Sequence, residues 1–102
     1  MLTRVVKMTF QPQQLAAFLE HFETVKWKVA QFPGCHGMQL WQDKQNPCLI
    51  FTYSVWESAQ DLERYRQSEL FGSIWPKIKP WFAQKAEAWS LNAHFNGFIS
   101  EK

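Results

Sequence analysis

Most of the residue patterns that announce a chemistry are missing from this chain. Its two cysteines, Cys35 and Cys48, are not in C-x-x-C spacing, so neither a thioredoxin-like motif nor a zinc knuckle is expected. The four glycines, at positions 34, 37, 72 and 97, make no G-x-G-x-x-G and no Walker loop, which leaves a nucleotide or flavin without a phosphate cradle. Three histidines, His21, His36 and His94, fall on separate segments with no carboxylate or thiol cluster at ligand spacing. No metal and no organic cofactor is therefore expected, and neither cysteine has a visible base partner for nucleophilic catalysis. Charge of one sign is also lacking: eleven Lys and Arg stand against nine Asp and Glu. Scattered cations of that kind do not make a nucleic-acid surface. No apolar run reaches the length of a membrane span. The opening "MLTRVVKMTF" has no apolar core or small-residue cleavage site, so it does not read as a signal peptide. The expectation is a cytoplasmic protein with no membrane or nucleic-acid partner.

What the chain does have is aromatic surface. Six Trp, nine Phe and two Tyr stand among 102 residues, 46% of which are hydrophobic and 20% charged. That is globular composition, and the length predicts a single domain over 1–102. So small a domain has limited interior volume, so part of the aromatic surface should meet a ligand or a second subunit.

Residues 2–10 are rich in β-branched and apolar side chains and predict a strand. Pro12 then suits a helix start, and Leu15, Phe18, Leu19, Phe22, Val25, Val29 and Phe32 recur at helical intervals. The "PG" at 33 and 34 ends that stripe. "CHGMQLWQ" and "CLIFTYSVW", separated by "DKQNP", predict a hairpin. With a loop of about four residues, His36, Met38 and Leu40 share a face with Leu49, Phe51, Tyr53 and Val55. Cys35, Gln39, Trp41, Cys48, Ile50, Thr52, Ser54 and Trp56 then occupy the other. Ser58 and Asp61 mark a helix start with Leu62 and Tyr65 inward, and Ser68 restarts it. Leu70, Phe71, Ile74, Trp75 and Ile78 carry the apolar stripe on until Pro76 kinks or ends it. A loop through "AQKAE" leads to a last strand, "AWSLNAHF", with Trp89, Leu91, Ala93 and Phe95 on one face. The order strand, helix, strand, strand, helix, strand is the ferredoxin-like α+β arrangement, a four-stranded antiparallel sheet with two helices on one face. The uncovered face still carries Trp41, Ile50 and Trp56 in this register, which predicts a homodimer packed sheet on sheet.

Several stretches carry a resemblance. "FPGC" entering the second strand, "FTYSVWES" running from the third strand into a helix, and "YRQSELF" resemble the antibiotic biosynthesis monooxygenase family over roughly residues 2 to 95. The resemblance implies a dimeric α+β barrel with a pocket between helices and sheet in each subunit. It also implies one of three roles: oxygenation of quinols, anthrones or similar electron-rich aromatics without metal or flavin, haem binding with ring opening, or binding of a small molecule without catalysis. Haem-degrading members carry an Asn on the first strand, a Trp on the second helix and a His ligand beyond it. Here the first strand has no Asn, and Tyr65 and Trp75 stand at the other two positions. Indole nitrogen offers iron no lone pair, so haem would need another ligand, such as His36.

Cofactor-free oxygenation asks the protein to hold a flat ring, take a proton from it, stabilise the oxyanion and exclude water. Tyr65 is the candidate donor to a phenolate oxygen, or else a core tyrosine satisfied at its rim. His36, placed across from Tyr53, is the candidate base, or else a structural partner of that tyrosine. Phe22, Phe71 and Trp75, with Tyr53, would wall the pocket for a small aromatic ligand, or else simply fill the core. Lys7 is a weaker oxyanion partner. His21 is expected at the surface and His94 near a dimer interface.

Overall fold

A computed structural model describes residues 1–98; the last four residues of the expected domain lie outside the described residues. The chain runs β1 (Leu2–Phe10), α1 (Leu15–Ala30), β2 (Cys35–Gln42), β3 (Leu49–Trp56), α2 (Ala59–Arg66), α3 (Glu69–Ile78) and β4 (Phe82–Leu91), with single 3-10 turns at Pro12–Gln14 and Lys79–Trp81. The strands form one antiparallel sheet in the order β2-β3-β1-β4. This is the ferredoxin-like α+β fold that the element order predicts.

Local chemistry sets the helix starts. Pro12 opens the 3-10 turn that leads into α1. Ser58 accepts a hydrogen bond from the Asp61 amide and Ser68 one from the Phe71 amide, so each hydroxyl satisfies an otherwise orphan N–H of a first turn. Between these caps the helical path breaks at Gln67 and Ser68, which separates α2 from α3. Helix α3 runs through Pro76 and ends at Ile78, so the proline does not itself terminate it.

Even-numbered residues of β1 face the helices. Met8 and Phe10 are buried there with Phe18, Ile50 and Ile78, and the Phe10 and Phe18 rings stack at 4.2 Å. Each such burial is worth about 1.5–3 kcal/mol.

The hairpin corrects the sequence reading. Met38 pairs with Ser54, Leu40 with Thr52 and Gln42 with Ile50, whereas Gln39 pairs with Tyr53 and Trp41 with Phe51. Directly opposed residues share a face. Met38 and Leu40 therefore lie with Ile50, Thr52, Ser54 and Trp56 under the helices, and Trp41 lies with Phe51, Tyr53 and Val55 on the outside. Two features shift the register from the expected one. The connection is longer, because Asp43 Oδ2 accepts from the Gln45 and Asn46 amides and Asn46 Oδ1 accepts from that of Cys48. A bulge also falls between Cys35 and Gly37, where Gly37 adopts φ +144° and His36 is the extra residue. Ile50 and Trp56, expected on the uncovered face, are 0% and 1% exposed.

The fourth strand also differs. "AQKAE" is strand rather than loop, and β4 ends at Leu91, so Ala93, His94 and Phe95 lie beyond it. Trp89 and Leu91 pair with Val5 and Thr3, joining Trp41 on the outer face. No helix among the described residues is long and apolar enough to cross a membrane.

Candidate functional site

Between the helices and the sheet lies a cavity of about 400 Å³, within the range of small-molecule sites. Its floor is the inward row of the sheet. Strand β1 supplies Arg4, Val6 and Met8, β3 supplies Thr52, Ser54 and Trp56, and β4 supplies Ala86 and Ala88. The two alanines leave room that larger side chains would fill. Its roof is formed by Phe18 and Phe22 of α1, Leu62, Tyr65 and Arg66 of α2, and Phe71, Ile74 and Trp75 of α3.

The rings are ordered by contact with one another. Phe71 and Trp75 lie on successive turns of α3 and stack at 5.8 Å with their planes 10° apart. Tyr65 lies against Trp56 at 5.2 Å and meets Phe71 edge-on at 5.3 Å, with Phe32 edge-on at 5.3 Å as well. Trp56 is fixed in turn by its indole Nε1, which donates to Ser54 Oγ at 3.0 Å.

The residues expected to form a site divide into two groups. Phe22, Tyr65, Phe71 and Trp75 meet at the cavity. Tyr53 does not: it is on the outer face, stacked on Trp41 at 4.9 Å. His36 does not either. It sits in the bulge at the start of β2, exposed, with its Nε2 2.6 Å from Glu57 Oε1, and so it is neither across from Tyr53 nor beside Tyr65. A haem ligand role for His36 in this cavity fails for the same reason. Lys7 is on the outer face opposite Phe51. His94 is exposed beyond β4. His21 is half-buried rather than at the surface: its Nε2 is buried without a hydrogen-bond partner, and its ring faces the Trp81 edge. Burial and then Lys77 hold its pKa below the usual histidine value. None of the three histidines borders the cavity. Among the described residues, no three His, Cys, Asp or Glu side chains gather in a set that could hold a metal ion.

Burial, with a smaller contribution from Cys35, pushes the Tyr65 hydroxyl up to about 12. At neutral pH it is protonated and acts as a donor, and no protein hydrogen bond to it is formed among the described residues. Three polar contributors escape a motif-based reading: Arg4, Ser54 and Arg66. The alternation that buries Met8 and Phe10 also turns Arg4 inward, and Arg66 follows Leu62 by one helical turn. Those spacings are the signal that locates them.

Residues 1–75 match the family model described as antibiotic biosynthesis monooxygenase. No curated protein matches the chain at a significant level. Among solved structures, one described as an antibiotic biosynthesis monooxygenase superposes with a TM-score of 0.86 at 20% identity, covering 91% of this chain and 98% of its own. A Nitrosomonas europaea protein assigned to the same family gives 0.86 at 14% identity, covering 93% and 100%. A conserved protein of Methanosarcina mazei gives 0.82 at 20% identity, covering 88% and 90%. At these identities the structural likeness speaks to the fold.

Proposed function

Because the chain belongs to the antibiotic biosynthesis monooxygenase family, we propose that it is a monooxygenase acting, without metal or flavin, on a small aromatic of quinol or anthrone type held in the cavity. The observation that carries this reading is the unpaired Tyr65 hydroxyl inside an aromatic-walled space. The substrate ring would lie against the stacked Phe71 and Trp75, with Phe22 across from them. In such a reaction the substrate supplies the electrons: an anthrone's ring methylene becomes a carbonyl, or a quinol gains a ring hydroxyl and is oxidised to the quinone, with one atom of dioxygen retained and the other leaving as water. The ring must first lose a proton. With His36 outside the cavity, that step rests on the acidity of the bound ring itself, and solvent water at the cavity's open side takes the proton. Donation from Tyr65 to the developing oxyanion raises this acidity, since a hydrogen bond to the charged form favours it. The apolar walls keep water from competing for the same oxygen.

We further infer a homodimer packed through the outer sheet face, where Trp41, Trp89 and Leu91 are 44%, 42% and 46% exposed. A second reading, a dimer that binds its ligand without turning it over, is favoured by one feature: no histidine borders the cavity.

Dioxygen uptake by purified, metal-free protein with a panel of anthrones and quinols tests the proposal. Uptake is expected in the wild type, with kcat lowered about a hundredfold by Tyr65→Phe, the usual consequence of losing one oxyanion donor. His36→Ala should leave it unchanged. Full activity in Tyr65→Phe would remove Tyr65 from the mechanism. Ring binding without uptake across the panel would put the binding-only reading ahead.

A further inference from the structure

Beside the hydroxyls of Thr52, Ser54 and Tyr65, the cavity carries one cationic edge. Arg4 lies in the middle of the sheet, register-paired with Ser54 on one side and Ser90 on the other. Its Nη1 donates to Ser90 Oγ at 3.0 Å, and among the described residues it forms no ion pair. Arg66, at the end of α2, faces the same space. Its one carboxylate contact among the described residues, Nη1 to Glu63 Oε1, is 3.3 Å, longer than the 2.7–2.9 Å of a well-made charged pair. Glu63 also accepts from Gln67 Nε2, so its charge is shared. Glu87 borders the cavity too, but it pairs with Lys7 and so directs its carboxylate to the outer face with that lysine. Burial first, then the neighbouring charge of Arg66, lower the proton affinity of Arg4, while Glu63 opposes them. Both guanidiniums remain cationic at neutral pH. Two such groups, close enough to repel and short of counter-ions, lack an anion on the cavity side. A partly desolvated cation without a partner is unfavourable.

We propose that the ligand of this cavity is an aromatic carboxylic acid, its ring against Phe71 and Trp75 and its carboxylate between Arg4 and Arg66. The planar fork of each guanidinium matches the two oxygens of a carboxylate. The Ser54 hydroxyl, which accepts from Trp56 and so has its own proton free, lies next to Arg4 in the register as a further donor. This assignment rests on the ring-binding reading of the cavity and adds to it the charge of the ligand. It also fixes the orientation: with the acid group held at the arginine edge, the ring extends under Tyr65 and α3.

Two probes with the same ring, one anionic and one neutral, test it: 2-naphthoate and 2-naphthalenemethanol, titrated by calorimetry at low salt into wild type, Arg4→Gln, Arg66→Gln and the double variant. The acid should bind the wild type about tenfold more tightly than the alcohol, or better, as charge-assisted hydrogen bonds allow. Its advantage should shrink as salt rises. Each single substitution should reduce that advantage and the double variant abolish it, with alcohol affinity unchanged throughout. Equal binding of the two probes by the wild type overturns the anionic ligand and keeps the cavity as a ring site. Binding of neither overturns the ring site as well, so the two failures are separable. A preference for the acid that survives the double substitution also overturns the proposal. If Arg4→Gln does not fold, the wild-type preference and Arg66→Gln, at an exposed helix end, still decide.

Discussion

Tyr65 shows how neighbours set the protonation of one side chain. The sequence offers only a tyrosine one helical turn after Leu62. Its packing against Trp56, Phe32 and Phe71 removes water from the phenol, and burial disfavours phenolate. The consequence is testable in a titration. A tyrosine raised from 10 to about 12 stays protonated in the folded protein where the unfolded chain has already lost the proton. The folded state then binds more protons, so this group's stabilisation is complete below pH 10. It is lost progressively as pH rises from 10 to about 12. Unfolding midpoints measured across that window should fall with pH in the wild type, and Tyr65→Phe should flatten part of the slope. An identical slope in the variant would show that Tyr65 titrates as it does in the unfolded chain.

At the scale of elements, α1 was legible because its apolar residues repeat at three and four, and that repeat names both the helix and its buried side. The caps at Ser58 and Ser68 were legible for the same local reason. The hairpin was legible only in part. Alternation along β2 and β3 follows from the pleat, but which rows meet depends on the connection and the bulge. Asp43 and Asn46 closed a longer loop than expected, and every side chain of β3 changed face. That reversal took Tyr53 away from the cavity and brought Ser54 and Trp56 to it, while the bulge between Cys35 and Gly37 set His36 apart. Strand β4 was missed over residues 83–87, where its inward residue Ala86 carries little strand signal. The smallness of Ala86 and Ala88 is also what leaves the cavity open. Arg4 escaped notice because a lone cation within a strand reads as surface charge. The turn between α1 and β2 gives an element-scale prediction. Gly34 has φ +88°, and a Cβ there would come within 2.5 Å of the Asp61 side chain at the start of α2. Gly34→Ala should cost about 1–3 kcal/mol from the backbone conformation, with the clash added. Urea denaturation checks this, and a loss well below 1 kcal/mol would mean that α2 moves aside freely.

For the whole molecule, the sheet is the organising surface, because its two faces are apolar for different reasons. One is covered by helices that stop short of filling the space beneath them. The other spans all four strands, from Trp41 on β2 through Phe51, Tyr53 and Val55 on β3 and Val5 on β1 to Trp89 and Leu91 on β4. Isolated exposed apolar residues are ordinary on soluble proteins, but a contiguous apolar face is not. Among those residues the charges are few, with Lys7 and Glu87 opposite each other and able to offset one another. A second copy presents the same surface, so twofold packing covers both at once. Light scattering on an eluting peak should give twice the mass of the chain at micromolar concentration. Trp41→Glu combined with Trp89→Glu should shift it to the monomer, because each carboxylate would have to be buried without a partner. These side chains are on the face away from the cavity, so the variant also separates assembly from ligand binding. Naphthoate affinity retained in the monomer would show that each subunit holds a complete site. Wild-type protein that elutes as a monomer over the same concentration range would overturn the dimer and leave the outer face without a partner.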